Sequence, residues 1–125
     1  FDPATVAILN APPPCTLEGG SVGTATIMLH EPTRWQIATS SASPALLVLA
    51  ENAYPGWEVR IDGERAEPLT AYTSIRAVCV PAGEHTVEWV FRPWLYGAGA
   101  VVTLVALAFV IFAVIRLRRP ESSVR

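Results

Sequence analysis

Residues 95–115, LYGAGAVVTLVALAFVIFAVI, run for twenty-one positions without a charged side chain. At about 1.5 Å of rise per residue, a helix of that length reaches roughly 31 Å, close to the ~30 Å hydrocarbon thickness of a bilayer. The segment reads as a membrane-spanning helix, since a buried core helix is usually shorter and interrupted by polar positions. Arg116, Leu117, Arg118 and Arg119 press a basic cluster against its far end, which the positive-inside tendency assigns to the cytoplasm. At the near end stand Trp94 and Tyr96, amphipathic rings of the kind that sit at headgroup level. Residues 1–94 are therefore expected outside the cytoplasm and residues 116–125 as a cytoplasmic tail. Gly97, Ala98, Gly99 and Ala100 make the outer end of the helix narrow, which suits close packing on neighbouring helices.

The formal charge of −2 averages two regions that water and lipid treat differently. Residues 1–94 hold five arginines against ten acids, whereas the tail holds four arginines and one glutamate. An acidic outer region argues against nucleic acid and against simple electrostatic adhesion to anionic lipid. All nine basic residues are Arg, a weak sign of a GC-rich bacterial genome. The chain starts Phe1-Asp2-Pro3 with neither an initiator Met nor an apolar leader. An outer domain with a cytoplasmic C-terminus needs an earlier export signal or an earlier span, so the expectation is the end of a longer protein.

Some ninety residues precede the span, enough for one small core. They read as short strands. Residues 5–9 form an apolar run that Pro12-Pro13-Pro14 must end, because proline cannot donate to a ladder. In residues 25–31, Ile27 and Leu29 fall on one face with Thr26, Met28 and His30 on the other. Trp35, Ile37 and Thr39 alternate with Gln36 and Ala38, and residues 40–44 are a small-polar turn. Residues 45–50 are apolar on both faces, which suggests a central strand. After Tyr54-Pro55-Gly56, Trp57, Val59 and Ile61 point one way, Glu58 and Arg60 the other. Asp62-Gly63 is a hairpin signal, since type I′ turns need residues that tolerate positive φ. A weak strand over 65–69 and another over 74–80 follow. Pro81-Ala82-Gly83-Glu84 turns the chain, and residues 85–92 place Val87, Trp89 and Phe91 inward. Short strands joined by short turns, with no amphipathic helix, predict an all-β antiparallel sandwich followed by one C-terminal transmembrane helix. Only Pro93 and Trp94 separate sandwich from span, so at about 3.5 Å per residue the sandwich is expected on the membrane surface.

The order of residues from 45 to 93 resembles the C-terminal region of the YfhO family of bacterial polytopic membrane proteins. The resemblance rests on Glu51-Asn52, Tyr54-Pro55-Gly56-Trp57, Asp62-Gly63, Tyr72, Arg76, Pro81-Ala82-Gly83-Glu84-His85 and Arg92-Pro93, followed by a terminal span. The opening Phe1-Asp2-Pro3 looks similar to that family's too, whereas residues 10–44 agree only in general character. It implies structural roles for Pro55, Gly56, Asp62, Gly63, Pro81, Gly83 and His85. YfhO-like proteins are similar to the glycosyltransferase C superfamily, which implies a parent with many transmembrane helices and a polyprenyl-phosphate-linked sugar as donor. Transfer would be to envelope glycopolymers outside the cell, from a catalytic carboxylate in an early loop that this chain does not contain. The fragment is thus expected to be non-catalytic, with the bilayer and upstream helices as partners. The alternative is a non-enzymatic surface sandwich for adhesion or envelope assembly, anchored by one helix.

Four residues are candidates for contact with a glycan or acceptor: Tyr54, Trp57, Tyr72 and Arg76. Tyr54 and Tyr72 lie in loops and are the better placed. Trp57 shares its phase with Val59 and Ile61, which favours a core role over a stacking face. Arg76, on an otherwise apolar strand, has two readings: a lipid phosphate, or a cross-sheet pair with Glu58 or Glu88, the second favoured. Asp62 and Glu64 flank a hairpin tip, where acids are common for turn reasons. His30 and His85 have no Cys or carboxylate spacing that makes a metal site, and no Ser sits in a nucleophile elbow. Cys15 and Cys79 are both placed where a disulfide is allowed, yet Cys79 alternates with core residues and the reading favours a buried thiol there over a bridge.

Overall fold

A computed structural model describes residues 6–19 and 22–120. The chain divides into two units, Phe1–Arg92 and Pro93–Arg125. Among the described residues the first unit forms eight strands: β1 (Thr24–Glu31), β2 (Arg34–Ser41), β3 (Ala45–Asn52), β4 (Trp57–Ile61), β5 (Glu64–Ala66), β6 (Leu69–Ala71), β7 (Ile75–Val80) and β8 (Gly83–Phe91). They make a five-stranded sheet in the order β1-β2-β8-β4-β5 and a three-stranded sheet in the order β3-β7-β6, with antiparallel pairing throughout. The expected all-β sandwich is the observed fold, but its parts differ from the sequence reading in four places.

The weak strand over 65–69 is two strands in different sheets. Pro68 cannot donate to a ladder, and at Glu67-Pro68 the chain leaves β5 in the larger sheet and enters β6 in the smaller. The apolar run at 5–9 is not a strand over its described residues. Leu9 makes a single bridge to Ala71, and residue 5 lies outside the described residues.

In β1 the alternation breaks. Ile27 pairs with Ile37 but Leu29 pairs with Gln36, so a bulge at Met28 turns His30 to the same side as its partner Trp35. The His30 and Trp35 rings then lie 3.6 Å apart between centroids. Finally, β3 is an edge strand, with β7 between it and β6. On its second apolar face no further strand follows among the described residues: Leu46 is half-buried and Val48 is exposed. Leu46 and Val48, with Ala77, Cys79, Leu69 and Ala71, form the outer face of the small sheet, and Leu9 packs on it.

The main core lies between the sheets. Trp35 and Ile37 from β2, Val59 from β4, Val87 and Trp89 from β8 meet Leu49 from β3 and Val78 and Val80 from β7. All are inward positions of period-2 strands, and Trp89, Ile37, Val59, Val78 and Val87 are fully buried. On the opposite face of the larger sheet, Glu88 accepts from Gln36 at 3.0 Å and Arg34 at 2.9 Å, and Glu58 pairs with Arg65 at 3.2 Å. The Gln36 amide, and next the Arg34 guanidinium, hold the Glu88 carboxyl below its usual range.

The second unit is one helix, α1 (Trp94–Arg118), 25 residues long. It starts one residue before the charge-free stretch and carries Arg116 and Arg118 in its last turn, where cations meet the negative end of the helix dipole. It is apolar around its whole circumference and long enough to cross a membrane. Thr103 returns its hydroxyl to the Gly99 carbonyl at 2.9 Å, which satisfies that donor within the apolar helix.

Candidate functional site

The chain leaves the sandwich at the C-terminal end of β8, and three connecting segments gather there. The Phe91 amide donates to the Thr33 carbonyl at 2.9 Å in the β1–β2 turn, and the Arg92 amide to the Gly56 carbonyl at 2.6 Å. Gly56 has φ +109°, a conformation that glycine adopts without a Cβ penalty, so the Pro55-Gly56 turn is built by its sequence. The Ala53 amide donates to the Ser74 carbonyl at 2.7 Å, which ties the 53–56 loop to the 72–74 turn. Arg92 and Pro93 are the connector to α1, one residue earlier than the boundaries read from the sequence.

This end brings the four sequence candidates together, with different surroundings. Tyr54 is 62% exposed, and its hydroxyl accepts from the Asn52 amide at 3.1 Å, so its ring is held upright in solvent. Tyr72, at φ +48°, donates its hydroxyl to the Val6 carbonyl at 2.6 Å and packs on the outer face of the small sheet. Its ring is half-buried and serves the fold. Trp57 is half-buried, packs on the main core and lies 5.1 Å from the Phe91 ring, as its phase predicts.

Arg76 corrects the sequence reading most sharply. It forms neither expected ion pair, because Glu58 and Glu88 stand on the outward face of the other sheet with Arg65 and Arg34. It points between the sheets instead, 3% exposed, with its guanidinium carbon 3.8 Å from the Trp57 ring centroid and 5.3 Å from that of Trp89. Among the described residues its Nε and Nη1 have no hydrogen-bond partner. Burial pushes its pKa down, partly offset by the charge of Glu51, which sits in the β3 bulge between Leu49 and Asn52. Two indole faces thus replace a carboxylate as the cation's surroundings.

At the opposite end of the larger sheet two motifs that look separate in the sequence meet. Asp62, at φ +51° in the β4–β5 turn with Gly63 at φ +86°, accepts the Thr86 amide at 2.8 Å and faces His85 Nδ1. His85 Nε2 faces the Ala82 carbonyl at 3.0 Å, beyond Pro81 in a turn completed by Gly83 at φ +105°. Both ring nitrogens meet acceptors, so the imidazolium satisfies the arrangement best and neither nitrogen is left to act on a substrate. The hydrogen bond to Asp62 raises the His85 pKa, and the same bond lowers that of Asp62. The signal that could have joined them is the register: Ile61 pairs with Val87, so the residues that follow and precede this pair must be neighbours.

The exit end therefore offers one exposed aromatic ring, that of Tyr54, as a surface suited to stacking. The half-exposed Asp62–His85 pair is a structural clasp. No protein-family model, no curated protein and no solved structure matches this chain.

Proposed function

We propose that this chain is the extracytoplasmic accessory domain and last membrane helix of a YfhO-like multi-pass protein of the bacterial cell membrane. In that reading the parent is a glycosyltransferase that takes its sugar from a polyprenyl-phosphate carrier and acts on cell-envelope polymers. The sandwich itself is non-catalytic and guides the acceptor through the loop that carries Tyr54, with the tail of α1 in the cytoplasm.

The observation that carries the proposal is the two-residue connector, Arg92-Pro93, between a strand end and an apolar helix long enough to span a membrane. A link of that length keeps the strand end within roughly 10 Å of the helix start. The exposed Tyr54 loop is hydrogen-bonded to the same strand end through Gly56 and Arg92. An exposed aromatic ring on the loop tied to the strand that leads into the helix is suited to a glycan presented by a lipid carrier.

The test is sugar transfer by the full-length protein in membranes, with Tyr54→Ala compared with the unaltered protein. The expected result is a fall in acceptor use with membrane insertion intact. Transfer by this chain expressed alone, or unaltered transfer by the Tyr54→Ala protein, would refute the assignment.

A further inference from the structure

The outer face of the small sheet is covered by the segment before β1, and that cover is held in two unlike ways. Its first part is laddered to β6: Leu9 bridges Ala71, the Asn10 amide donates to the Thr70 carbonyl at 3.0 Å, and the Tyr72 amide to the Ile8 carbonyl at 2.8 Å. Beyond Asn10 the ladder stops, because Pro12, Pro13 and Pro14 have no amide hydrogen to give. The next tether is covalent. Cys15 is bonded to Cys79 of β7, with the Cα atoms 6.1 Å apart, which corrects the reading of Cys79 as a buried thiol. Cys79 does alternate with core positions, but on the outer face, where a half-buried sulfur meets the cover.

Three observations make this bond a latch rather than a staple of the whole domain. The main core between the sheets draws its buried residues from β2, β3, β4, β7 and β8 and takes none from residues 6–19. Both cysteines are half-buried rather than sealed. A groove of about 560 Å³ is lined by Val6, Leu9 and Leu17 of the cover, by Leu46 and Val48 of β3, and by Thr24 and Ser40 of β1 and β2. The stiff proline run carries Cys15 as an arm, so cutting the bond frees that arm to swing away from the sheet.

We propose that the Cys15–Cys79 disulfide is a redox latch: its reduction by a dithiol releases residues 11–19 and opens the groove beside Leu46 of β3, with the Leu9 ladder and the sandwich core intact. A dithiol's thiolate attacks the Cys15 sulfur, the Cys15–Cys79 bond breaks, and Cys79 leaves as a thiolate that takes up a proton. The second thiol of the reductant then attacks the mixed disulfide, closes the reductant into its own disulfide and releases Cys15 as a thiol. Two electrons and two protons pass from the dithiol to the cystine.

The experiment is hydroxyl-radical footprinting of the whole chain in detergent micelles, with and without dithiothreitol, read residue by residue by mass spectrometry. The latch predicts that labelling of Leu46 rises several-fold on reduction, while Leu69, beneath the laddered Leu9, and Trp35, Val87 and Trp89 keep their protection. A Cys15→Ser, Cys79→Ser double variant is expected to show the same pattern with no reductant. Unchanged labelling of Leu46 in reduced protein would mean that the ladder alone holds the cover, and would overturn the proposal. Loss of protection at Trp35 and Trp89 together with the outer face would overturn it the other way, by making the bond a global staple. Because the oxidised folded protein is the starting point, a double variant that fails to fold leaves the reduction experiment decisive.

Discussion

Asp62 Oδ2 lies 2.5 Å from His85 Nδ1, a contact that closes one end of the larger sheet across 23 residues of chain. Asp62 also accepts the Thr86 amide, and His85 Nε2 faces the Ala82 carbonyl, so the two turns flanking β4 and β8 share one ionic clasp.

The clasp makes stability depend on pH with a definite sign. The folded His85 pKa is raised above 6.5, chiefly by its hydrogen bond to Asp62, so its contribution is complete below 6.5 and fades as pH climbs through the folded value. The folded Asp62 pKa is lowered below 3.8, chiefly by the same bond, so its contribution is complete above 3.8 and fades as pH falls through the folded value. The clasp is therefore strongest between those limits. Denaturant midpoints measured from pH 6 upward are expected to decline, and Asp62→Asn to flatten the profile. Equal slopes in both proteins would count against the pairing.

Arg76 lies over the Trp57 ring and near that of Trp89, with almost no exposure to water. A buried cation without a carboxylate gains ring attraction but forfeits hydration, so a well-packed apolar chain of similar length is expected to serve nearly as well. Arg76→Met should lie within about 1 kcal/mol of the parent chain, whereas Arg76→Ala, which leaves a cavity, should cost about 2–3 kcal/mol. Urea unfolding followed by tryptophan fluorescence separates them. A Met variant as unstable as the Ala variant would show that the ring stacking stabilises the fold on balance.

Gly63 has φ +86°, and a Cβ built there meets nothing within 4 Å. Any cost of Gly63→Ala therefore comes from the backbone alone, about 1–2 kcal/mol. Gly23 is the opposite case, since an added Cβ would lie 2.9 Å from the Ser40 carbonyl oxygen and 2.9 Å from the Ser41 Cβ. Gly23→Ala is expected to loosen the start of the β1–β2 pairing, which amide exchange of Thr24 and Ser40 would report. Slower exchange there would contradict the contact.

A charge in the middle of α1 tests whether the helix crosses a bilayer. Val105 is exposed on a helix that is apolar all round. Val105→Arg is expected to cost about 2.5–3.5 kcal/mol of insertion free energy. Replacing Arg116, Arg118 and Arg119 by Glu should weaken the orientation without removing the span. Protease protection of tagged membrane vesicles distinguishes loss of insertion from inversion. An unaltered protected fraction in the Val105→Arg chain would be incompatible with a lipid-facing helix.

Much of the fold can be read along the chain because it depends on neighbours a few residues apart. The helix follows from an uninterrupted apolar run, the clean strands β4 and β8 from period-2 patterning, and the β4–β5 turn from Asp62-Gly63. Trp57 and the phase of Val87 and Trp89 also stand as their alternation requires. What could not be read depends on residues far apart. The bulge at Met28 reverses the expected face of His30, and only pairing with β2 fixes where the slip falls.

The pattern of residues 45–50, apolar on both faces, suggests a central strand, yet an edge strand under a partial cover leaves the same trace. Cys15 and Cys79 are 64 residues apart, and Arg76 found two tryptophans rather than an acid because the acids face outward on the other sheet. By itself the sequence determined most of the strands, the tight turns and the long apolar helix, since those choices are settled by backbone sterics and by contact with water or an apolar phase. The tertiary structure alone decided which faces meet, because closing long loops brings together groups whose attraction acts only over a few ångströms.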